Sequence, residues 1–116
     1  MQTKEYNGWT NYETWNVKLW MDNDEGAQGY YTELAKEVYG QAEAGQLFTR
    51  EERAALDLSK RIKEEYETAM ADWLDESKKS SSVWADLLGA ALSEVNWHEI
   101  AASLIDDSVE KGDVCE

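Results

Sequence analysis

The chain has 116 residues, which is the size of one domain and enough to bury a modest core. It carries 25 acidic and 11 basic side chains, a formal net charge of −14, and a field of this sign disfavours direct binding to nucleic acid or to an anionic membrane. Proline is absent and Cys115 is the only cysteine, so the composition favours helices over a turn-rich β fold and excludes a disulfide within the chain.

The sequence predicts a cytoplasmic protein. A single cysteine is typical of a reducing compartment. Residues 1–6 contain no apolar stretch that could act as a signal peptide, and no run approaches the length of a transmembrane helix. We therefore expect no membrane partner.

The first predicted helix spans residues 10–23. Thr10 and Glu13 fit a capping box, in which the hydroxyl and the carboxylate each satisfy a free backbone donor. Acidic side chains crowd the C-terminal end of this helix, where the helix dipole disfavours negative charge. We assign these acids to partner binding, together with a tryptophan before the helix and a tyrosine after it: Trp9, Asp22, Asp24, Glu25 and Tyr30.

The second and third predicted helices span residues 27–44 and about 50–76. Thr49 and Glu52 form another capping box at the start of the third helix. At about 1.5 Å per residue, that helix would be about 40 Å long and form the spine of the fold. Apolar residues recur at helical spacing in both helices: Tyr30, Tyr31, Leu34, Ala35, Val38 and Ala42 in the second, and Ala55, Leu58, Ile62, Tyr66, Ala69 and Trp73 in the third.

Two shorter helices follow a polar, serine-rich loop over residues 78–82. The fourth contains Trp84, Leu87, Leu88, Ala91 and Leu92. Asn96 and Glu99 cap the fifth, Val95 and Ile100 form a hydrophobic staple, and the buried stripe is Trp97, Ile100, Ala101, Leu104 and Ile105. The sequence thus predicts an all-α fold: a compact single-domain bundle of about five helices with one long central helix, with frayed ends at residues 1–8 and 111–116.

No residue pattern indicates catalysis. His98 is the only histidine, and Cys115 lies in a predicted tail where no packing holds it against a base. Residues 22–26 resemble part of a calcium loop, but the register places Met21 and Thr32 at the first and last ligand positions. We predict a protein without enzymatic activity, bound metal or cofactor, and leave open a loose cation site on the acids of this segment.

Six tryptophans are far more than a chain of this length usually contains. Each can bury about 150–250 Å², so a core built from large aromatics is one interpretation, and we expect it for most of the six. The alternative is that one or two are exposed anchors for a partner. Trp9, in the turn Asn7-Gly8-Trp9, is expected to be the most exposed.

The negative charge is concentrated in the second half of the chain. Residues 64–116 carry three basic and fourteen acidic side chains, and residues 80–110 contain no lysine or arginine. Placed on packed helices, these acids would form one face that stands in for nucleic-acid phosphates, or a merely solvated surface. The residues predicted for this face are Glu64, Glu67, Asp72, Asp75, Glu76, Asp106, Asp107 and Glu110.

An N-terminal motif points to a known family. The run Asn11-Tyr12-Glu13-Thr14-Trp15-Asn16-Val17, followed by Leu19, Trp20 and Asn23, resembles the signature of a family of small uncharacterised proteins from bacteriophages, plasmids and prokaryotic genomes. Val95, Asn96, Trp97, Glu99, Ile100 and Ala101 resemble the segment that often ends such proteins. The resemblance implies a mobile-element setting. We interpret the motif as packing between the first and fifth helices, with Tyr12, Asn16 and Trp20 in one row and a buried hydrogen-bond partner for Asn16.

These observations favour a binding function. The leading hypothesis is an accessory protein that binds and inhibits a host nucleic-acid-handling defence complex, first an anti-CRISPR and second an anti-restriction protein, in the host cytoplasm. Its partner would present a basic surface. The rival hypothesis is a structural or regulatory interaction module with aromatic anchors, and a metal-dependent enzyme is a third class. A homodimer is compatible with all three.

Overall fold

A computed structural model describes residues 6–108 of the chain. These residues form five helices and no β-strand: α1 Tyr12–Asn23, α2 Glu25–Gln41, α3 Arg50–Glu76, α4 Val83–Ser93 and α5 Trp97–Ser108. The predicted all-α bundle with one long central helix is therefore confirmed. No helix within residues 6–108 is long and apolar enough to cross a membrane. Of the frayed ends predicted for residues 1–8 and 111–116, residues 1–5 and 111–116, and with them Cys115, lie outside the described residues, whereas residues 6–8 lie in a turn closed by backbone hydrogen bonds between Tyr6 and Trp9.

Two helix starts follow the predicted capping chemistry. Thr49 Oγ1 accepts a hydrogen bond from the Glu52 amide at 3.0 Å, and Glu52 Oε1 accepts one from the Thr49 amide at 2.8 Å. At the start of α5, Asn96 Oδ1 accepts from the Glu99 amide at 3.0 Å, and Val95 is buried as a staple residue should be. Local sequence therefore defines where α3 and α5 begin.

The start of α1 and the join between α1 and α2 differ from the prediction. Asn11, not Thr10, caps α1, because its Oδ1 accepts from the Thr14 amide at 2.9 Å. The second helix begins at Glu25, two residues earlier than predicted, because the Asp24 carboxylate accepts from the amides of Gly26 and Ala27. The acid at the end of α1 is thus the N-cap of α2, where the helix dipole favours negative charge.

The core lies between α1, α2, α5 and the first two-thirds of α3. The predicted stripe of α5 is fully buried, and Leu58 and Ile62 of α3 have no exposed surface. The rings of Tyr66 and Trp97 lie 5.4 Å apart, so the start of α5 lies beside the middle of α3. The end of α5 reaches Ala55, near the start of α3, so the two helices are antiparallel. We call α1, α2, α5 and residues 50–66 the bundle.

The last third of α3 extends beyond the bundle and turns back as α4. Ala69 and Trp73, predicted to continue the buried stripe, are exposed, and α4 has no fully buried residue. The turn is a Schellman motif: the amide of Lys79 donates to the Leu74 carbonyl, the amide of Lys78 donates to the Asp75 carbonyl, and Lys78 has a φ of +60°. We call residues 67–93 the arm; the molecule measures 53 × 34 × 30 Å.

Candidate protein-binding surfaces

The first candidate surface is a set of carboxylates along the C-terminal half of α3. These five side chains are all exposed, and we call them the acidic edge: Glu64, Glu67, Asp72, Asp75 and Glu76. Residues 64–77 contain no lysine or arginine. The Glu67 carboxylate lies 4.0 Å from the ammonium of Lys63, which is a long distance for an ion pair. Both side chains are about half exposed, so this pair is weak. The edge therefore presents nearly uncompensated negative charge.

The acidic edge is locally unfavourable for α3. Asp72 and Glu76 are four residues apart on one helix face, where like charges repel. The last turn contains Asp75 and Glu76 and no basic residue, although the helix dipole favours cations there. The helix therefore keeps these acids at a cost to its own stability, which is common at functional surfaces.

The acids of α5 do not join this edge, contrary to the prediction. Since α3 and α5 are antiparallel, Asp106 lines a cleft with Glu51 and Glu52 at the start of α3, and Asp107 lies near Lys18 of α1. Along α3 this position is about 30 Å from Asp75. Glu110 lies outside the described residues. Packing of the two helices was foreseen, but their relative direction was not.

The second candidate surface is an apolar face on the arm. In α4, the less exposed side carries Ala85, Gly89 and Leu92, whereas Val83, Trp84, Leu87 and Leu88 are exposed. Most of the large apolar side chains of this helix therefore face solvent, unlike those of the usual amphipathic surface helix. We call the following side chains, which are between 36 % and 59 % exposed, the apolar face: Trp73, Val83, Trp84, Leu87 and Leu88.

The tryptophans contradict the expectation of an aromatic core. Trp97 is buried and Trp9 and Trp15 are half-buried, whereas Trp20, Trp73 and Trp84 are each more than half exposed. Trp9, predicted to be the most exposed, lies in a two-residue turn in which Tyr6 and Trp9 exchange both backbone hydrogen bonds. The aromatic side chains therefore supply surface more than core.

Part of the N-terminal motif joins α1 to the segment between α4 and α5. Asn11 Nδ2 donates to the Glu94 carbonyl at 2.7 Å, and Asn11 Oδ1 accepts from the Thr14 hydroxyl at 2.6 Å. That hydroxyl oxygen accepts in turn from the amide of Asn96 at 2.9 Å. Thr14 is fully buried, so its hydroxyl, which joins these bonds, is shielded from water. Glu13 is half-buried in the first turn of α1.

The other face of the motif points outward, which corrects the predicted packing row. Tyr12 and Trp20 are 49 % and 67 % exposed, and Asn16 is half-buried. The asparagine of this motif whose side chain donates to a backbone carbonyl is Asn11, which bonds to Glu94. Tyr12 and Trp15 pack their rings around Tyr6, so Trp20 is the most exposed ring of this face. The residues of α1 that are buried are Thr14, Lys18 and Met21.

The acids predicted to bind a partner near the first helix end have local roles. The ammonium of Lys18 donates to both carboxylate oxygens of Asp22, at 2.8 and 2.9 Å. Asp24 is the N-cap of α2, and Glu25 lies in its first turn. Lys18, which the sequence analysis did not single out, is 6 % exposed; its i,i+4 spacing from Asp22 was the available signal.

Tyr30 forms part of a hydrogen-bonded group between α2 and α3. The hydroxyls of Tyr30 and Tyr31 donate to the two carboxylate oxygens of Glu65, at 2.7 and 3.0 Å. The bond to Glu65 raises the pKa of Tyr30, and burial raises the pKa values of Tyr31 and Tyr66. Tyr30 is still partly exposed, but its hydroxyl is already engaged within the fold.

A cleft of about 640 Å³ lies between the start of α3 and α5. Trp9, Glu51, Glu52 and His98 are among its lining residues. Within residues 6–108, no group of three or more histidine, cysteine or acidic side chains is arranged to hold a metal ion. The cleft therefore offers polar side chains without a recognisable reactive set.

Comparison with known proteins places the chain in one family. The model of a family of unknown function (DUF7249) matches residues 2–111, so the chain belongs to that family. No curated protein and no solved structure matches it.

Proposed function

We propose that this family member acts by binding a protein that presents a basic, nucleic-acid-binding surface, and that it thereby inhibits a host nucleic-acid-handling defence complex. CRISPR complexes are the first candidates and restriction enzymes the second. The acidic edge is the observation that carries the proposal. The mobile-element setting implied by the N-terminal motif supplies the class of target.

The geometry of the edge suits this task. Its carboxylates are all exposed, and Asp72, Asp75 and Glu76 lie on the part of α3 that extends beyond the bundle, where a partner can approach them. Successive turns of a helix present charges about 5–6 Å apart, which is similar to the spacing of phosphates along a nucleic-acid strand. A row of this kind can occupy part of a basic channel and speed association through long-range attraction.

The test compares two triple variants with the same change in net charge. One is Asp72→Asn, Asp75→Asn and Glu76→Gln on the acidic edge. The matched control is Glu33→Gln, Glu37→Gln and Glu43→Gln, which removes three exposed acids from the region of α2. Each protein is expressed in bacteria that carry an active CRISPR or restriction system, and the survival of an invading plasmid is measured.

We expect the unmodified protein and the control to protect the plasmid and the edge variant to fail. If the unmodified protein protects against none of the defence systems tested, or if both triple variants protect equally, the proposal is wrong. The interaction should also weaken as salt rises, because exposed charge pairs are screened within a Debye length of about 8–10 Å.

A second candidate function rests on Trp20. Its indole is the most exposed large aromatic side chain in the described residues, and it lies on the helix that carries the family motif. In an interaction module anchored by this ring, Trp20→Ala would weaken binding at least tenfold, and added salt would have little effect. Once a partner is identified, the effect of salt on its binding therefore separates the two functions, because salt should weaken only binding through the acidic edge.

A further inference from the structure

The apolar face of the arm has large side chains but no cover within residues 6–108. Val83, Trp84, Leu87 and Leu88 follow one another at helical spacing on one side of α4. A contiguous exposed patch of this kind marks a binding surface more often than chance exposure does. Since the small residues Ala85 and Gly89 occupy the less exposed side, the large ones are placed for a contact outside the chain.

We infer that a second copy of this chain covers the face, so that two arms pair around a two-fold axis. Each arm is a pair of helices, the end of α3 and α4, and both helices expose large apolar side chains. Two such pairs form a four-helix bundle, the arrangement in which helical hairpins commonly bury a shared apolar side. A two-fold interface also requires a self-complementary surface, and an uninterrupted apolar face satisfies that requirement.

Charge favours another copy over a basic partner at this particular face. Residues 83–93 contain a single charged side chain, Asp86, although the whole chain has a net charge of −14. A partner selected by its positive charge would meet little negative charge on α4. The acidic edge lies on the same arm but on α3, and physiological salt screens much of the repulsion that it would add between two copies.

The tip of the arm carries the only two lysines of residues 64–110, beside Asp75 and Glu76. Lys78 and Lys79 lie at the tip, where α3 turns into α4. Glu67 lies at the base of the arm, and Glu94 lies where α4 meets the bundle through its carbonyl contact with Asn11. Antiparallel pairing around a two-fold axis brings the tip of one arm to the base of the other, so these lysines approach acids of the partner copy.

The available area indicates a concentration-dependent dimer. Two half-exposed tryptophans and three half-exposed aliphatic side chains present roughly 500 Å² of apolar surface per copy. A standard stable interface buries about 800 Å² per partner. The flanking polar residues make up part of the difference, and we expect a dissociation constant in the micromolar range.

Sedimentation equilibrium of the full chain over low micromolar to several hundred micromolar concentrations tests this inference. The mass should rise from 13.3 kDa toward twice that value. Trp84→Ala and Leu87→Glu should each raise the dissociation constant more than about tenfold. The control is Leu47→Glu, which places the same charge at a side chain that is 85 % exposed and lies in the loop between α2 and α3. It should leave the dimer unchanged.

A monomer throughout the concentration range overturns the inference, as does a dimer that is weakened equally by the Leu47 and Leu87 variants. Circular dichroism of each variant distinguishes lost pairing from lost folding. Added salt should preserve or tighten the dimer, because it screens repulsion between two negative chains. It should weaken the proposed inhibitory interaction, so either idea can fail without the other.

Discussion

The bundle and the arm are built from similar amphipathic helices, but they place their large apolar side chains on opposite sides. In the bundle, α5 buries its whole apolar stripe against α2 and α3. In the arm, α4 exposes four large apolar residues, and the last acids of α3 lie where a helix least favours them. The difference indicates that the bundle supplies stability, and contact with other molecules is the role that we propose for the arm.

The largest expected effect comes from equal truncations in the two regions. Leu58→Ala removes a fully buried side chain and should lower the free energy of unfolding by about 3–4 kcal/mol. Leu87→Ala removes a mostly exposed side chain and should cost the monomer less than about 1 kcal/mol. Urea denaturation at low protein concentration measures both. Similar losses would mean that the arm contributes to the fold as much as the bundle does.

The next largest loss of stability should come from removing the hydrogen bonds of the buried Thr14 hydroxyl at the start of α1. Thr14→Val keeps the shape of the side chain but leaves the Asn96 amide and the Asn11 side chain each short of one partner, at a cost of about 1–3 kcal/mol. Ser82→Ala, which removes the half-buried N-cap of α4, should cost about 1 kcal/mol or less. Thermal unfolding of both variants tests the ranking, and the reverse order would contradict the shielding of Thr14.

Alkaline pH should destabilise the bundle through its tyrosines. The folded-state pKa values of Tyr30, Tyr31 and Tyr66 are raised above 10, so the folded chain holds their protons where the unfolded chain releases them. Their contribution is complete below pH 10 and is lost as pH rises further. For Tyr31 the slope is at most about 1.4 kcal/mol per pH unit. Tyr31→Phe should therefore show a smaller loss of stability between pH 10 and pH 11; an unchanged slope would contradict the assignment.

The smallest expected effect lies at the tip of the arm. Lys78 adopts a φ of +60°, a conformation that glycine tolerates without a side-chain penalty. Lys78→Gly should stabilise the chain by up to about 1 kcal/mol, whereas Lys79→Gly, one residue on and without a positive φ, should not. Differential scanning calorimetry of the two variants measures the contrast. Equal shifts would show that the effect comes from lost charge instead.

The helices were largely predictable from sequence, because capping is a local interaction. Thr49 with Glu52, and Asn96 with Glu99, marked two helix starts correctly. At the start of α1, both Thr10 and Asn11 are good capping residues, and only the tertiary bond from Asn11 to the Glu94 carbonyl distinguishes them. Asp24 was noted as an unfavourable end to α1 but not recognised as the cap of the next helix.

The surfaces were less predictable, because periodicity identifies an apolar stripe on a helix but does not show how much of that stripe another helix covers. The stripe of α3 continues to Trp73, yet its contact with α5 begins at Tyr66 beside Trp97, so Ala69 and Trp73 beyond it are exposed. The prediction that the acids of α3 and α5 form a single face was wrong for a related reason. It required α3 and α5 to be parallel, and helix direction depends on the whole connectivity of the fold.

The bond between Asn11 and Glu94 also has a mechanical consequence. The carbonyl of Glu94 lies at the end of α4, and α4 is about 16 Å long. A rotation of a few degrees at this pivot would move the tip of the arm by about 1–2 Å, enough to misalign side chains at an interface. The bond from Asn11 of the N-terminal motif to the Glu94 carbonyl therefore fixes the base of α4, and with it the position of the surfaces that we propose for binding.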